Sequence, residues 1–591
     1  MSIRQMTAML VMTLIAAALI GCAGYAPEEI HYGTDQCDYC KMTIADKSFG
    51  SELITQKGKV LKYDSIECLA AADMVFANKS QDVHSRWVTD FGQPGQFLDA
   101  NKAWIVLAER QKSPMGIGLV AVSTEESATK LIDDVGGRIV TWGEIKGNRD
   151  SGLETGEQQL TLWSKSCRTG QSIRHSEFSR HIAGVLVAVC LVIGSKSTVA
   201  TVITVQPGGA IQSVSEALSL AMPGDTVRVE SGTYLEANLR VVKPMTLIGN
   251  DWPVVNAAGR GPIFEVTAAN VVISGFELRG VPVSFVKEHA AILLSETENC
   301  EVRDNRFVDN FFAVYLAHSK RCRVIRNSIV GSATALTSAG NGVHMWYCRD
   351  IAVQDNQIHG QRDGIYLEFV KHSTISGNDS SDNLRYGLHF MFSDSCRYEK
   401  NRFARNGAGV AVMYTSQVDM LGNSFEDSWG GASYGLLLKD IRDSRVRGNA
   451  ITRNSVGIYL EGSDRIVISG NQFHANGWAI KIMANCVGSK VIANDFIDNS
   501  FQVATNSRQS FSEFDGNYWS TYHGYDLDRD GYGDMPYRPV SLYSLIVESE
   551  PATMVLIRSL LVDLLNLAER IMPTLTPEAL ADAKPRMKPV S

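Results

Sequence analysis

The sequence contains no sustained run of lysine and arginine. Its 591 residues carry a formal net charge of −8, whereas nucleic-acid-binding domains usually display a basic patch or stripe. Nucleic-acid binding is therefore excluded as the leading function. A chain of this length is too long for one ordinary core, so we expect several domains.

The internal apolar segment IAGVLVAVCLVIG, at 182–194, is too short for a transmembrane helix. It has 13 residues, fewer than the roughly 20 that span a bilayer. Basic residues precede it, and the whole pattern, which ends near Thr198-Val199-Ala200, is typical of a signal peptide. We predict a polar linker at 147–181 and a second signal-like segment at 182–203. If the first domain is exported, a membrane-stop helix here would leave the rest in the cytoplasm. We therefore expect two exported parts translated as one chain, with this segment cleaved or retained at a membrane surface.

Residues 1–22 combine Arg4 with a short apolar run, which predicts a secretory signal. The run ends in Leu19-Ile20-Gly21-Cys22, which resembles a bacterial lipobox. The resemblance implies cleavage before Cys22 and lipidation of its thiol. Because Ala23 follows rather than Asp, it also implies an outer-membrane anchor. The alternative is an uncleaved signal anchor.

The second half of the chain repeats an asparagine at nearly constant spacing. Most intervals are 22 or 23 residues, too short for an independent domain and typical of one rung in a stacked array. The repeated residues are Asn305, Asn327, Asn356, Asn378, Asn401, Asn423, Asn449, Asn471, Asn494 and Asn517. Asparagine suits such turns because it tolerates the left-handed conformation and can hydrogen-bond within a stack.

Each rung also carries an apolar strand about eight residues after its asparagine, such as GIYLE at 364 and GLHFM at 387. Side chains alternate across a strand, so Ile365 and Leu367 are predicted to point inward and Tyr366 and Glu368 outward. We predict a mainly β chain: a parallel β-helix at 204–524, with an Asp-rich loop and helical tail at 525–591. A small α+β domain at 23–146, with helices at 65–77 and 124–135, precedes it. A helix near 211–221 is expected to cover the open end of the β-helix.

Three cysteines lie five residues before a rung asparagine: Cys300, Cys322 and Cys396. Cys300 and Cys322 are therefore predicted to stack on adjacent rungs. The sequence shows no further convergent ligands there, so we interpret them as a buried thiol ladder.

The strongest local motif is CDYCKM at 37–42. Its two thiols and one thioether are soft ligands, which select Cu(I) over hard cations. Met115, in the turn SPMG, offers a further thioether. A structural disulfide, a thioredoxin-like redox pair or a zinc site are the alternatives.

Residues 30–146 resemble the NosL family, the lipoprotein copper chaperones of nitrous oxide reductase assembly. The matching segments are CDYCKM, KYDSIECL at 62–69, VTDF at 88–91, LDANKAWIV at 98–106, SPMGIGLVA at 113–121 and GGRIVTW at 136–142. The resemblance implies Cu(I) carriage, with Cys40, Met42 and Met115 as candidate ligands. Cys37 is expected either to bind with them or only to lie nearby. The family usually has Gly where this chain has Lys41.

Residues 204–588 resemble NosD, the periplasmic β-helix protein of the same pathway. The resemblance rests on the rungs, on GNYWSTYHGYDLDRDGYGDMPYRP at 516–539 and on the tail PATMVLIRSLLVDLLNLAERIMP at 551–573. It implies a right-handed β-helix that docks on the membrane subunit of an ABC transporter. It also implies a role in building the copper–sulfur centre of apo nitrous oxide reductase.

The outward positions of consecutive strands predict two columns: His344, Tyr366, His389 and Ala411, beside Trp346, Glu368, Met391 and Met413. His389, Met391 and Met413 are a candidate Cu(I) patch; the alternative is a docking face for a protein partner. The rival function is a polysaccharide lyase or hydrolase, or a carbohydrate-binding protein. Catalysis would need converging carboxylates, and the outward positions along all the apolar strands offer only Glu368 and Glu461, four rungs apart.

Residues 526–534 resemble an incomplete EF-hand loop. Asp526, Asp528, Asp530 and Asp534 occupy the spacing at which oxygen ligands wrap Ca²⁺, but Tyr537 stands where the bidentate Glu would be. The alternative is a solvated Asp-rich turn. We further predict an amphipathic helix at 551–571 and a short helix at 577–583.

Overall fold

The computed structural model describes residues 26–145 and 200–590, except 41, 57, 79–82, 109–110, 112, 116, 285–287, 335, 337–338, 507–510 and 573–579. Cys22, the linker at 147–181 and nearly all of the second signal-like segment lie outside the described residues. The described helices are α1 Ile66–Asn78, α2 Glu125–Val135, α3 Trp142–Ile145, α4 Val214–Leu220, α5 Leu542–Ser549, the 3-10 helix Pro551–Leu556 and α6 Leu560–Ile571. None of these helices is both long enough and apolar enough to cross a membrane.

The N-terminal part is α+β, as predicted. A four-stranded antiparallel sheet has the spatial order Val60–Tyr63, Ser51–Thr55, Val83–Thr89, Phe97–Asp99. A three-stranded sheet has the order Leu119–Val122, Trp104–Ala108, Gly137–Val140. Helix α2 buries Ala128 and Val135 against the second sheet. It begins where the Thr124 hydroxyl accepts from the Ser127 amide at 3.2 Å.

The larger part is a parallel β-helix, which confirms the repeat analysis. Its three sheets run along the stack with 14, 13 and 12 strands. Sheet A consists of Val202–Val205, Thr226–Val229, Thr246–Gly249, Val272–Ser274, Glu301–Arg303, Arg323–Ile325, Ala352–Gln354, Thr374–Ser376, Arg397–Glu399, Asp419–Leu421, Arg445–Arg447, Val467–Ser469, Val487–Ile492 and Phe511–Asp515. Sheet B consists of Thr233–Tyr234, Val254–Asn256, Glu277–Arg279, Arg306–Val308, Ser328–Val330, Gln357–His359, Asp379–Ser381, Arg402–Ala404, Ser424–Glu426, Ala450–Thr452, Gln472–His474, Asp495–Ile497 and Tyr518–Trp519. Sheet C consists of Leu239–Val241, Phe264–Val266, Ala290–Ser295, Phe312–Ala317, Asn341–Trp346, Asp363–Glu368, Tyr386–Met391, Ala408–Met413, Tyr434–Lys439, Val456–Glu461, Trp478–Ile482 and Phe501–Ala504.

The predicted inward residues form one continuous core. Ile365, Leu367, Leu388 and Phe390 are fully buried in it. Helix α4 adds Val214 and Ala217 at the N-terminal end of the stack, which confirms the predicted capping helix over a shorter range. The apolar interior of a stacked array is thereby closed on this side.

The repeated asparagines form a buried hydrogen-bonded ladder between sheets A and B. In each step the Nδ2 of one asparagine donates to the Oδ1 of the next, as from Asn378 to Asn401 at 2.9 Å. The backbone amide donates to the same oxygen, at 3.0 Å. The prediction that asparagine hydrogen-bonds within the stack is therefore confirmed, but the prediction that it adopts the left-handed backbone conformation is wrong. The residue before the asparagine takes positive φ, as Lys400 does at 54°.

A second amide ladder lies about five residues after the first, and the sequence analysis missed it. Asn383 donates to Asn406 Oδ1 at 3.0 Å, and Asn454, Asn476 and Asn499 continue the pattern on later rungs. The recurring offset from the first asparagine was the available signal. This pattern is interrupted on the rung where Ser428 stands in place of an asparagine.

The C-terminal residues close the other end of the ladder. Asp582 is fully buried, and its Oδ2 accepts from Asn517 N at 2.9 Å, Asn517 Nδ2 at 3.0 Å and Trp519 Nε1 at 3.0 Å. Its Oδ1 accepts from the Gly516 and Lys584 amides. Residues 580–583 are not helical, so the helix predicted at 577–583 is wrong over its described residues.

The amphipathic helix predicted at 551–571 is also wrong in part. A 3-10 helix at Pro551–Leu556 precedes a break, and α6 begins after Ser559. Helix α6 buries Val562 but leaves much of its apolar surface exposed. The exposed residues are Leu560, Leu561, Leu564, Leu567 and Ile571.

Candidate metal site

The CDYCKM motif lies at a tight reversal of the chain. Gln36 and Thr43 form an antiparallel bridge, and the Cys37 amide donates to Met42 O at 2.7 Å. Asp38 fixes the turn to the neighbouring strand, because its Oδ2 accepts from the Lys62 amide at 2.8 Å. These contacts turn Cys37 and Cys40 toward the same interior point. The Cys40 amide lies 3.4 Å from Cys37 Sγ.

Four buried side chains converge at this point. One ligand atom from each of Cys37, Cys40, Asp64 and Cys68 lies within 4.8 Å of the other three. Cys40 Sγ approaches Asp64 Oδ1 at 3.7 Å. Three sulfurs and one carboxylate at these distances have the chemistry of a soft-metal site.

Cys68 and Asp64 are residues that sequence reasoning missed. Cys68 falls within the helix predicted at 65–77, more than 20 residues after the motif, which gave no reason to place it beside Cys37 and Cys40. Helix α1 begins at Ile66, so Cys68 is in its first turn, beside the reversal. The segment KYDSIECL contains both residues, which was the available signal.

The two thioethers are buried as well, with exposed fractions of 2% for Met42 and 7% for Met115. The turn that carries Met115 is held by Glu67 of helix α1, which accepts from the Ser113 hydroxyl and from the Leu119 amide. Burial raises the pKa of Glu67, and these hydrogen bonds oppose the rise. Helix α1 thus supplies Cys68 to the cluster and fixes the Met115 turn through Glu67.

The two predicted columns on sheet C have the expected register. His344 pairs with Tyr366 and Tyr366 with His389, while Glu368 pairs with Met391 and Met391 with Met413. The expectation that these positions face solvent is wrong for the candidate patch. His389, Met391 and Met413 have exposed fractions of 2%, 3% and 0%, although none belongs to the core inside the helix.

His389 lies in a buried polar environment. Its Nδ1 is 3.8 Å from Asp363 Oδ2, and Arg385 donates two hydrogen bonds to the same carboxylate. The rings of Tyr366 and Tyr386 pack on the imidazole at 4.9 and 4.8 Å. Burial lowers the pKa of His389 to about 4, so the ring is neutral at pH 7.

The Asp-rich loop brings together three of its four predicted ligands. Carboxylate oxygens of Asp526, Asp528 and Asp530 lie within 4.8 Å of one another. Asp534 is not in this group, and its Oδ2 accepts from the Leu527 amide at 2.7 Å. Amides of the loop also donate to Asp526 and Asp530, so hydrogen bonds alone account for part of the loop's shape.

The structure defines a class of protein: a small α+β domain with a buried sulfur-rich cluster, joined in one chain to a parallel β-helix. Residues 29–149 match the family model NosL. Residues 325–524 match the model described as Periplasmic copper-binding protein (NosD). The chain therefore carries a NosL domain and a NosD domain, which confirms the resemblance found in the sequence.

One known relative and two solved structures are similar to parts of this chain. A protein of Stutzerimonas stutzeri named probable ABC transporter binding protein NosD is 26% identical over 382 residues, which span 61% of this chain and 86% of that protein. The copper chaperone NosL from Shewanella denitrificans is 23% identical over 20% of this chain and 94% of that one, with a TM-score of 0.18. The A-module of the mannuronan C-5 epimerase AlgE4 of Azotobacter vinelandii is 14% identical, covers 50% of this chain and 86% of that one, and has a TM-score of 0.38. The family matches support involvement in the copper maturation of nitrous oxide reductase, and the NosD family is periplasmic by its description.

Proposed function

We propose that this chain is a non-enzymatic copper carrier and assembly scaffold. In this proposal the N-terminal domain carries Cu(I), and the β-helix serves as a scaffold while the copper–sulfur centre of nitrous oxide reductase is built. The convergence of Cys37, Cys40, Asp64 and Cys68 carries the proposal. Thiolates favour Cu(I) over hard cations, and burial protects the bound ion from oxidation and solvent.

The thioethers of Met42 and Met115 are proposed to complete the Cu(I) site. Thioethers are neutral, so they add soft donors without adding charge to a buried site. The competing occupant is Zn²⁺, because three thiolates and one carboxylate could also satisfy a tetrahedral ion. Replacing the thioethers separates the two, since zinc sites do not use methionine.

The direct test is a Cu(I) titration of the reduced full chain against a chromogenic Cu(I) chelator. We expect Cys40→Ser and Cys68→Ser each to weaken the tightest Cu(I) binding at least tenfold, and Met42→Leu to weaken it less. Cys396→Ser is the matched control, because Cys396 is also a buried cysteine but lies in the β-helix. Equal weakening in Cys396→Ser and Cys40→Ser would contradict the proposed site. So would tight Zn²⁺ binding that Met42→Leu and Met115→Leu leave unchanged while Cu(I) fails to compete.

Docking on an ABC transporter is proposed for the C-terminal helix. The name of the Stutzerimonas stutzeri relative supports such an association. The apolar surface of α6 that remains exposed supports its location, because a helix that only closed the stack would bury that surface. The partner is proposed to be the membrane subunit of the transporter.

Three further assignments are proposals of the same kind. Lipidation of Cys22 would anchor the chain at the outer membrane on the periplasmic side.

The Asp526–Asp530 loop would bind Ca²⁺ as a structural ion. His389, Met391 and Met413 would take copper only after their cover opens, since all three are buried. The intact mass of the mature, metal-loaded protein tests lipidation, cleavage at 182–203 and cargo together.

A further inference from the structure

The sulfur cluster holds more thiols than the family resemblance assigns to Cu(I). The resemblance implies Cys40, Met42 and Met115, which already offer one thiol and two thioethers as soft donors. Cys37 and Cys68 are additional. Both are buried, with exposed fractions of 0% and 1%, and their sulfurs lie within 4.8 Å of each other. All three cysteines are in the thiol form, so two thiols beside the implied ligands are able to react with each other.

The polar contacts of the three sulfurs differ. The Cys40 amide donates toward Cys37 Sγ at 3.4 Å, and Cys68 lies in the first turn of helix α1, near its positive end. Both environments favour negative charge on sulfur, and electron-rich sulfur is oxidised most readily. Cys40 Sγ instead donates to Asp64 Oδ1 at 3.7 Å. Cys37 and Cys68 are therefore the electron-rich pair of the cluster.

Asp64 adds a hard oxygen ligand to this soft cluster. An oxygen of its carboxylate lies within 4.8 Å of all three sulfurs. Oxygen ligands suit Cu(II), whereas thiolates and thioethers select Cu(I). A site with both kinds of donor accepts copper in either oxidation state. It holds the reduced ion more tightly, because the sulfurs outnumber the oxygen, and this preference favours reduction of Cu(II) at the site.

We propose that Cys37 and Cys68 reduce incoming Cu(II), and that Cys40, Met42 and Met115 keep one of the Cu(I) ions formed. The proposal rests on the proposed copper function, because it concerns the same site. It adds an activity to that function: the chain converts Cu(II), the form of copper in an oxidising compartment, into the ion that it carries.

The reaction is a thiol oxidation by two copper ions. Each Cu(II) accepts one electron, the S–H bonds of Cys37 and Cys68 break, and one S–S bond forms between their sulfurs. Two protons leave to the solvent, one of them by way of the Asp64 carboxylate. Two thiols and two Cu(II) thus give one disulfide, two Cu(I) and two protons. The reaction is stoichiometric, and an external thiol must reduce the disulfide before the chain reacts again.

The test mixes Cu(II) with the pre-reduced full chain under anaerobic conditions, after the reductant has been removed, and reads Cu(I) with a chromogenic chelator. In every protein tested, the cysteines outside the described residues are replaced by serine; these are Cys22, Cys167 and Cys190. We expect two Cu(I) per parent chain, formed at least tenfold more slowly in Cys37→Ser and in Cys68→Ser. Cys396→Ser, which changes a buried cysteine of the β-helix, is the matched control and should behave as the parent does.

Cys40→Ser separates reduction from retention. It leaves the electron-rich pair intact, so it should still form two Cu(I). Without chelator, the parent should keep one Cu(I) through gel filtration, whereas Cys40→Ser should keep none. Peptide mass of the parent should show a Cys37–Cys68 disulfide after Cu(II) is added and not before.

Undiminished rates in both Cys37→Ser and Cys68→Ser would overturn the proposal. A disulfide between Cys37 and Cys40 in the parent would overturn it as well. The peptide-mass measurement needs no variant at these positions, so it decides the question even if the serine variants misfold by circular dichroism. Normal Cu(I) binding without reduction of Cu(II) would defeat this inference and leave the proposed function intact, whereas no Cu(I) binding by the reduced chain would defeat both.

Discussion

At the scale of single residues, the ladder asparagines stabilise the turns through buried hydrogen bonds. Asn401 accepts from the Asn378 amide and side chain through Oδ1, and it donates to Ile375 O and Asn423 Oδ1 through Nδ2. Every polar atom of this side chain is therefore satisfied inside the protein. Such groups are costly to remove because their partners lose hydrogen bonds away from water.

Asn401→Ala is expected to lower the free energy of unfolding by more than one hydrogen bond is worth, on the order of 2–4 kcal/mol. The variant leaves the Asn378 backbone amide without its acceptor and removes one of the acceptors of the Asn378 side-chain amide, and it leaves Ile375 O without the Asn401 donor. Denaturant unfolding followed by circular dichroism measures the effect. Asn250→Ala is the control, because Asn250 is exposed and makes one side-chain bond, to Glu230. Similar losses in the two variants would contradict the role of the ladder.

His389 predicts a specific pH dependence. Its pKa is about 4 in the folded chain and about 6.5 when unfolded, so the unfolded chain binds a proton first as pH falls. The stability that neutral His389 contributes is therefore fully present above pH ~6.5 and is lost as pH falls toward 4. His389→Gln cannot titrate, so its Tm should fall less than that of the wild type between pH 7 and pH 4.5. Parallel falls would show that other groups dominate acid unfolding.

At the scale of elements, sequence pattern predicted the core strands better than the tail. The strands repeat on many rungs, so each one confirms the others, as the alternation at Ile365 and Leu367 illustrates. The tail occurs once. Apolar residues at helical spacing continue from Met554 to Ile571, and the pattern does not reveal the break at Ser559, which adopts an extended conformation with ψ 156°. The burial of Met391 could not be predicted from its strand, because it depends on tertiary packing and not on the alternation of side chains along the strand.

For helix α6 we expect Leu561→Glu combined with Leu564→Glu to abolish co-purification with the transporter while the β-helix stays folded. Both side chains are about half exposed, at 50% and 54%, so charges there meet water in the free protein. Val562→Glu is the matched control: Val562 is 6% exposed, so a charge there should destabilise the tail itself. Unfolding of the double variant by circular dichroism would assign the exposed residues to the core instead.

For the Asp-rich loop we expect Ca²⁺ to raise the Tm of the wild type but not of Asp528→Asn combined with Asp530→Asn. A ligand that binds only the folded state stabilises it by mass action. Differential scanning calorimetry in Ca²⁺ and in chelator provides the comparison. Identical melting of the wild type under both conditions would make the loop an ordinary turn.

At the scale of the whole molecule, the two ends of the stack are closed by different means. Helix α4 covers the N-terminal end with apolar side chains. At the other end, Asp582 accepts the hydrogen bonds that a further rung would have accepted. This residue lies more than 60 positions beyond Asn517 in a segment with no repeat pattern, which is why the sequence analysis did not connect the two.

Asp582→Asn is expected to destabilise the chain by about 1–3 kcal/mol. Both carboxylate oxygens of Asp582 accept hydrogen bonds from N–H donors. In the asparagine variant one of these oxygens becomes an NH₂ group, which would face either the Gly516 and Lys584 amides or the donors of Asn517 and Trp519. Chemical unfolding measures the loss. Asp515→Asn nearby is the control, because Asp515 is exposed. A smaller change for Asp582 than for Asp515 would contradict the closing role.

The direction of the first asparagine ladder has an electrostatic consequence. Each side-chain amide donates toward the next rung, from Asn305 through Asn494 to Asn517, so the amide dipoles point the same way and add along the axis. The sum resembles a helix macrodipole, with its positive pole at the last donors. The negative charge of Asp582 lies beside that positive pole, as an acidic residue does at the N-terminus of an α-helix. Its electric field therefore acts on a whole row of polarisable amides and not on one neighbour alone.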